Sequence, residues 1–210
     1  VDEINQGVRS QSPKMPELKL PIANNGNLEP AVFRVLTENI EKLSVELKKD
    51  FLNEEKWLQL AIYRKMLQDY QASIDILNYV TALWPKDYVP FNNLADLYQY
   101  YIKNYPLAEK NWLKVIELKP DYTDAYQNLF ILYSSAYIEK KDKALPTLLE
   151  GIRQNYHATD LMVAVARYYK TMGDKVNANI YYSKAISEAK LQNNQQLQAS
   201  IQSELDDLSK

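Results

Sequence analysis

The chain has no cysteine, one histidine and four glycines among its 210 residues. Absent cysteine excludes disulfides, thiolate zinc sites, iron–sulfur clusters and cysteine nucleophiles together, and it suits a reducing or an oxidising compartment equally. The single histidine, His157, excludes histidine clusters and is expected to be a loop residue between helices. Neither sign of charge dominates: 25 basic and 27 acidic side chains leave a net charge of −2. Phosphate binding needs a basic patch on a mostly basic domain, so a nucleic-acid partner, RNA included, is excluded on charge. No apolar run approaches the ~18 residues of a membrane span; the longest are 129–133 and 161–166. There is no glycine-rich phosphate loop, no metal-ligand spacing and no nucleophile elbow, so no cofactor, no metal and no catalysis are expected. The paired acids Glu54 and Glu55, and Asp206 and Asp207, read as helix-start charge and as solvated residues.

A hydrophobic content of 46% with 25% charged residues suits a folded chain. Helix breakers crowd the start, where residues 1–30 hold Gly7, Gly26, Pro13, Pro16, Pro21 and Pro30. Residues 1–29 therefore read as an extended or flexible linker. Pro13, Lys14, Met15 and Pro16 have polyproline-ligand spacing, and Leu18, Leu20 and Ile22 alternate as in an extended strap laid on the body. Val1 is not a natural translation start, and a polar, proline-containing beginning often follows a removed signal or membrane anchor. The expectation leans to a membrane-tethered or extracytoplasmic protein, and otherwise to a cytoplasmic one.

Helical periodicity begins at Pro30, a favourable first-turn residue. Phe33, Leu36, Ile40, Leu43, Leu47 and Phe51 form one apolar stripe, predicting a helix within 30–52. From Asn53 the sequence repeats itself. Trp57, Phe91, Tyr126 and Met162 are spaced by 34, 35 and 36 residues. Leu60, Leu94, Leu129 and Val165 keep these steps, followed directly by Ala61, Ala95, Phe130 and Ala166. A second set comprises Ser73, Ala108, Ala144 and Ala178, then Leu77, Trp112, Leu148 and Tyr182, then Val80, Val115, Gly151 and Ala185. Each unit is a pair of helices that cannot cover its apolar faces alone but can when stacked. Asn53, Asp87, Asp121 and Thr159 are expected caps at unit starts. Most of the 24 aromatics, 17 of them Tyr, fall in repeat positions, so they are expected in the core.

These residues resemble the tetratricopeptide repeat (TPR) family. A large aromatic, then Leu and a small residue, then alanine in the second helix and a closing proline recur over roughly residues 53–186. The resemblance implies an all-α, right-handed α-solenoid. Four hairpins, at about 54–87, 88–122, 123–158 and 159–190, would lie between capping helices at 30–52 and 191–210. The last helix carries Leu197, Ile201, Leu205 and Leu208 as its stripe; either terminal stripe would alternatively serve as a homodimer seam. The longer second and third periods predict longer hairpin turns near residues 101–104 and 137–141. Phe130 and Gly151 depart from the pattern together, which predicts that the Phe130 ring fills the space Gly151 leaves.

In this family the first helix of each pair lines a groove that receives a peptide or partner helix. Turning ~100° per residue from the aromatic position puts Leu58, Ile62 and Lys65 on that face. Asn92, Asp96, Gln99 and Tyr100 follow, then Gln127, Ile131 and Ser134, then Val163, Arg167 and Lys170. Amides such as Asn92 and Gln127 can bond an extended peptide backbone, and Arg167 can take a carboxylate with two hydrogen bonds. The basic and amide set of chaperone-tail adaptors is missing, because Leu58, Ile62, Asp124 and Asn128 occupy its places and only Asn93 fits. Leu58 and Ile62 need cover, either from a ligand or from the chain's own segment near Leu18 and Ile22. The expected function is a non-enzymatic protein–protein interaction scaffold or assembly factor. The alternative is a regulatory or recruiting domain of a larger, membrane-tethered protein or enzyme.

Overall fold

The computed structural model describes residues 13–18 and 22–209. The expectations for Gly7 and for Leu20 lie outside the described residues. Every regular element among those described is helical. The chain divides between Leu97 and Tyr98 into two compact units.

The first unit contains α1 (Pro30–Lys49), α2 (Glu54–Met66), α3 (Tyr70–Leu83) and α4 (Val89–Asp96). Pro30 opens α1, and Leu36, Ile40 and Leu47 form its buried stripe. Phe51 lies beyond the helix end and is exposed, so the predicted stripe is one turn too long. Its carbonyl instead accepts the Trp57 indole N–H at 2.9 Å. Trp57 is fully buried and meets Tyr79 edge to face at 5.0 Å. The small residues Ala61 and Ser73 bring α2 and α3 together, and the Ser73 hydroxyl donates to the Ala61 carbonyl at 2.8 Å. Such a bond satisfies a buried hydroxyl at the closest approach of two helices. Arg64 is buried at 2% exposure on the same face, with Nη1 2.9 Å from the Asp69 carboxylate.

The second unit contains α5 (Tyr105–Leu118), α6 (Thr123–Ile131), α7 (Ala144–Gln154), α8 (Thr159–Thr171), α9 (Lys175–Leu191) and α10 (Gln195–Asp206). α6 packs on α7, α8 on α9, and α10 on α9. Ala144, Ala166, Ala178 and Ala185 are fully buried at these joints, while Tyr126, Leu148 and Tyr182 fill the spaces between. Ile201 and Leu208 of the last stripe are buried, and Leu197 and Leu205 pack partly against the same cluster with Met162 and Ala166. The stripe is therefore occupied within its own chain.

Local chemistry recurs at the hairpin turns. Gln68, Lys103 and Asn193 adopt positive φ, as does Gly173 at +75°. Each precedes an Asp or Asn whose side chain caps the next helix: Asp69, Asn104, Asn194 and Asp174. Asn53 caps α2 in the same way. Asp87 accepts from the Val89 N–H at 2.9 Å. Three predicted caps do not hold the N-cap position. Tyr88, Tyr122 and Ala158 stand there before α4, α6 and α8, leaving Asp87 one residue earlier, Asp121 exposed and Thr159 as the first helical residue.

The extra residues of the second period do not lengthen the turn. They widen the helix into a π-helical stretch, Leu97–Ile102, and only Lys103 and Asn104 connect it to α5. The third period uses both devices. A π-helical stretch, Leu132–Ala136, is followed by a 3₁₀ segment, Ile138–Lys143. This segment is tied down by Glu109 of α5, a buried carboxylate bonded to Lys140, 3.4 Å from Lys143, and accepting from Tyr133 at 2.8 Å. Burial alone would raise the Glu109 carboxyl, but these donors hold it below the usual carboxylate range.

Candidate functional site

The thirteen sequence-predicted groove residues divide between the units. In the first, Leu58 is half-buried, Ile62 is 41% exposed and Asn92 is half-buried. Asp96 is ion-paired to Lys65, which joins α2 to α4. Leu18 is buried against α1, where its carbonyl lies 3.3 Å from the Ser44 hydroxyl, and residues 13–17 line a cavity with Asp75, Asn78 and Tyr79 of α3. The described part of the strap therefore lies along α1 and α3.

In the second unit the structure brings Gln127, Ile131, Ser134 and Arg167 to one cavity of about 380 Å³ between α6 and α8. Phe130, Ala164, Tyr168 and Met172 add apolar lining, and Lys141 and Thr171 complete it. Phe130 decides this geometry. It stands where other units carry alanine, and its ring meets Tyr168 edge to face at 6.1 Å. The expectation that it fills the space beside Gly151 is therefore corrected. A Cβ at Gly151 would lie 2.5 Å from Leu161 Cδ1 and 2.7 Å from Tyr126 Cγ, so the missing side chain admits those two instead. Close packing rewards whichever neighbour already points inward, and Phe130 is turned towards α8.

Two other predicted groove residues are interior. Gln99 is 5% exposed, accepts the Trp112 indole N–H at 2.7 Å and reaches the Asn128 carbonyl. The wider π-helical turn advances less per residue than 100°, which rotates Gln99 inwards. Val163 is buried in the cluster that α10 completes. Tyr100 keeps an exposed ring and donates its hydroxyl to the Asn128 side chain at 2.8 Å.

Arg167 already holds a carboxylate. Its Nε and Nη2 donate to the two oxygens of Glu204 on α10, at 2.8 and 2.6 Å. Tyr182 donates to the same carboxylate at 3.0 Å. The Arg167 hydrogen bonds hold Glu204 below the usual carboxylate range, with further help from Tyr182 and the charges of Arg167 and Lys170. Burial and this hydrogen bond push the Tyr182 hydroxyl up to about 12. Lys170 is exposed on the last turn of α8. Glu204 sits beside Ile201 and Leu205 on the last stripe, the only sequence cue to its position.

Glu54, Glu188 and His157 have surroundings that their places in the sequence do not indicate. Glu54 has an oxygen with no hydrogen-bond partner inside the protein, and burial together with a hydrogen bond and charge from Asp87 pushes its carboxyl up to about 7. It is not a plain helix-start charge. His157 lies in the loop between α7 and α8, as expected, but its Nδ1 is 2.5 Å from the Glu188 carboxylate on α9. Among the described residues no group of three or more His, Asp or Glu is placed to hold a metal ion. No helix among them is long and apolar enough to cross a membrane.

No protein-family model matches the chain, and no curated protein matches its sequence. Solved structures do match. MamA superposes with a TM-score of 0.59 at 20% identity, over 79% of this chain and 98% of that one. Pseudomonas aeruginosa PilF gives 0.58 at 18% identity, over 84% and 86%. YrrB, a TPR protein with an unusual peptide-binding site, gives 0.53 at 11% identity, over 79% and 91%. Recurring buried joints, capped hairpin turns and these neighbours together give the chain the all-α fold of the tetratricopeptide repeat.

Proposed function

We propose that the protein is an interaction scaffold whose α6–α8 cavity receives a peptide segment of another protein. The observation that carries this reading is the cavity itself, whose lining combines the apolar Phe130, Ile131, Ala164 and Tyr168 with amide, hydroxyl and cationic side chains. An apolar pocket with a few convergent polar groups is what holds a side chain and orients its backbone. Gln127 offers both a donor and an acceptor to an extended chain. The peptide-binding site of YrrB, on the same fold, is consistent with it.

Selection of a displayed library of random 12-residue peptides on the whole chain tests this reading. Enriched peptides should bind in fluorescence anisotropy and lose at least about tenfold in affinity to Ile131→Arg, which fills the cavity mouth with a charged side chain. Ile131 is 36% exposed, so thermal stability should stay unchanged. Failure to enrich any peptide, or binding indifferent to Ile131→Arg and Thr171→Arg, would overturn the proposal.

A further inference from the structure

The cavity has a charge character that its apolar lining does not explain. Its charged lining residues, Lys141 and Arg167, are both basic. The guanidinium fork of Arg167 is occupied by the carboxylate of Glu204 from the end helix α10. Planar two-bond recognition of a carboxylate is specific geometry, not diffuse attraction. Yet the Arg167 side chain remains 62% exposed, so solvent and solutes reach it, and an exposed pair of this kind is weakly held.

Exchange is also cheap for the carboxylate that leaves. Released from Arg167, Glu204 would keep the Tyr182 hydroxyl and the field of Lys170. Removing a partner from a buried carboxylate is expensive only when nothing else satisfies it. Here the residual donors belong to α8 and α9, the two helices on which α10 already rests.

From this we propose that Glu204 is an internal stand-in for a ligand carboxylate at Arg167. The cavity accordingly selects peptide segments that carry an acidic residue beside a large apolar one. The apolar side chain packs over the Phe130 and Tyr168 rings, the acidic one displaces Glu204, and Lys141 supplies a second cation in the cavity lining. This rests on the cavity being a peptide site.

The test uses three fluorescein-labelled 12-residue peptides, each with a central Phe flanked by Glu, by Gln or by Lys, titrated against the whole chain. The acidic peptide should bind tightest. Glu204→Gln should tighten it about threefold, because a neutral amide competes poorly for the guanidinium. Arg167→Gln should weaken it about tenfold, down to the level of the neutral peptide. The exchange of charges, Arg167→Glu with Glu204→Arg, keeps an ion pair between α8 and α10 and should reverse the order in favour of the basic peptide. Equal binding of all three peptides, with loss in Ile131→Arg, would sink the carboxylate exchange and leave the peptide site standing. An acidic preference untouched by Glu204→Gln and by the charge exchange would likewise overturn the inference. Binding of none of the three, while library-selected peptides still bind and are lost in Ile131→Arg, would overturn the inference alone.

Discussion

The hairpin of α2 and α3 and the hairpin of α6 and α7 are written on one repeat pattern and are built differently. In the first, Ala61 and Ser73 touch, a side-chain hydrogen bond closes the joint and Val80 fills the space behind it. In the second, the position of Ala61 is Phe130 and the position of Val80 is Gly151. Phe130 turns out towards Tyr168, while Tyr126 and Leu161 move in over Gly151. The second hairpin also carries the π-helical stretch and the 3₁₀ segment that Glu109 holds down. A repeat therefore tolerates a large residue in a small place when the displaced ring finds a neighbouring first helix, and the displacement opens a cavity.

The comparison is broken most strongly at Gly151. Gly151→Leu should destabilise the second unit by about 3 kcal/mol, since even its Cβ overlaps Leu161 and Tyr126. The equivalent Val80→Leu in the first unit should cost about 1 kcal/mol. Urea unfolding of both variants, followed at unchanged m-value, reads the difference. Similar losses would mean that the two joints are packed alike.

A smaller contrast concerns polar closure. Glu109→Ala leaves the Tyr133 hydroxyl buried and unpaired and frees Lys140 and Lys143. It should cost about 2 kcal/mol and raise amide exchange over residues 138–143. Ser73→Ala removes one neutral hydrogen bond and should cost about 1 kcal/mol. Unchanged exchange in 138–143 would show that Glu109 does not hold the inserted segment.

The third contrast is the sign of the pH dependence. Burial and Asp87 raise the folded-state Glu54 carboxyl from 4.5 to about 7. The folded first unit therefore binds the extra proton, so this stabilisation is complete below pH 4.5 and is lost as pH rises towards about 7. Arg167 lowers Glu204, so the second unit gains a stabilisation that is present above pH 4.5 and lost as pH falls through the depressed value. Hydrogen exchange of α2, corrected for intrinsic rates, should slow between pH 7.5 and 5.5, and Glu54→Gln should abolish that slope. The protection of α10 should instead decline below pH 4.5. Parallel slopes in both helices would contradict the assignment.

Much of the fold could be read from residue order because each joint is local. Trp57, Tyr126 and Met162 are buried at their repeat positions, and the small residues Ala61, Ala95, Ala144 and Ala178 are buried at theirs. Four groove positions in the second unit, Gln127, Ile131, Ser134 and Arg167, converge as a helical wheel requires. Gln99 and Val163 do not. The first follows a change of helical pitch at Leu97, and the second faces a helix that arrives 32 residues later, at Gln195. Arg64 was legible in retrospect, since it continues the Trp57 and Ala61 face by one further turn.

What residue order settles here is the helical period and the places where a chain turns, because hydrophobic spacing, Asp and Asn caps and scarce glycine act within a few residues of each other. It does not settle which carboxylate Arg167 holds, where the Phe130 ring goes or what raises Glu54. Those outcomes depend on groups 33 to 38 residues apart: Arg167 and Glu204, Phe130 and Tyr168, Glu54 and Asp87. Packing alone fixes their distances, and the energies of charge and contact vary too steeply with distance to follow from spacing along the chain.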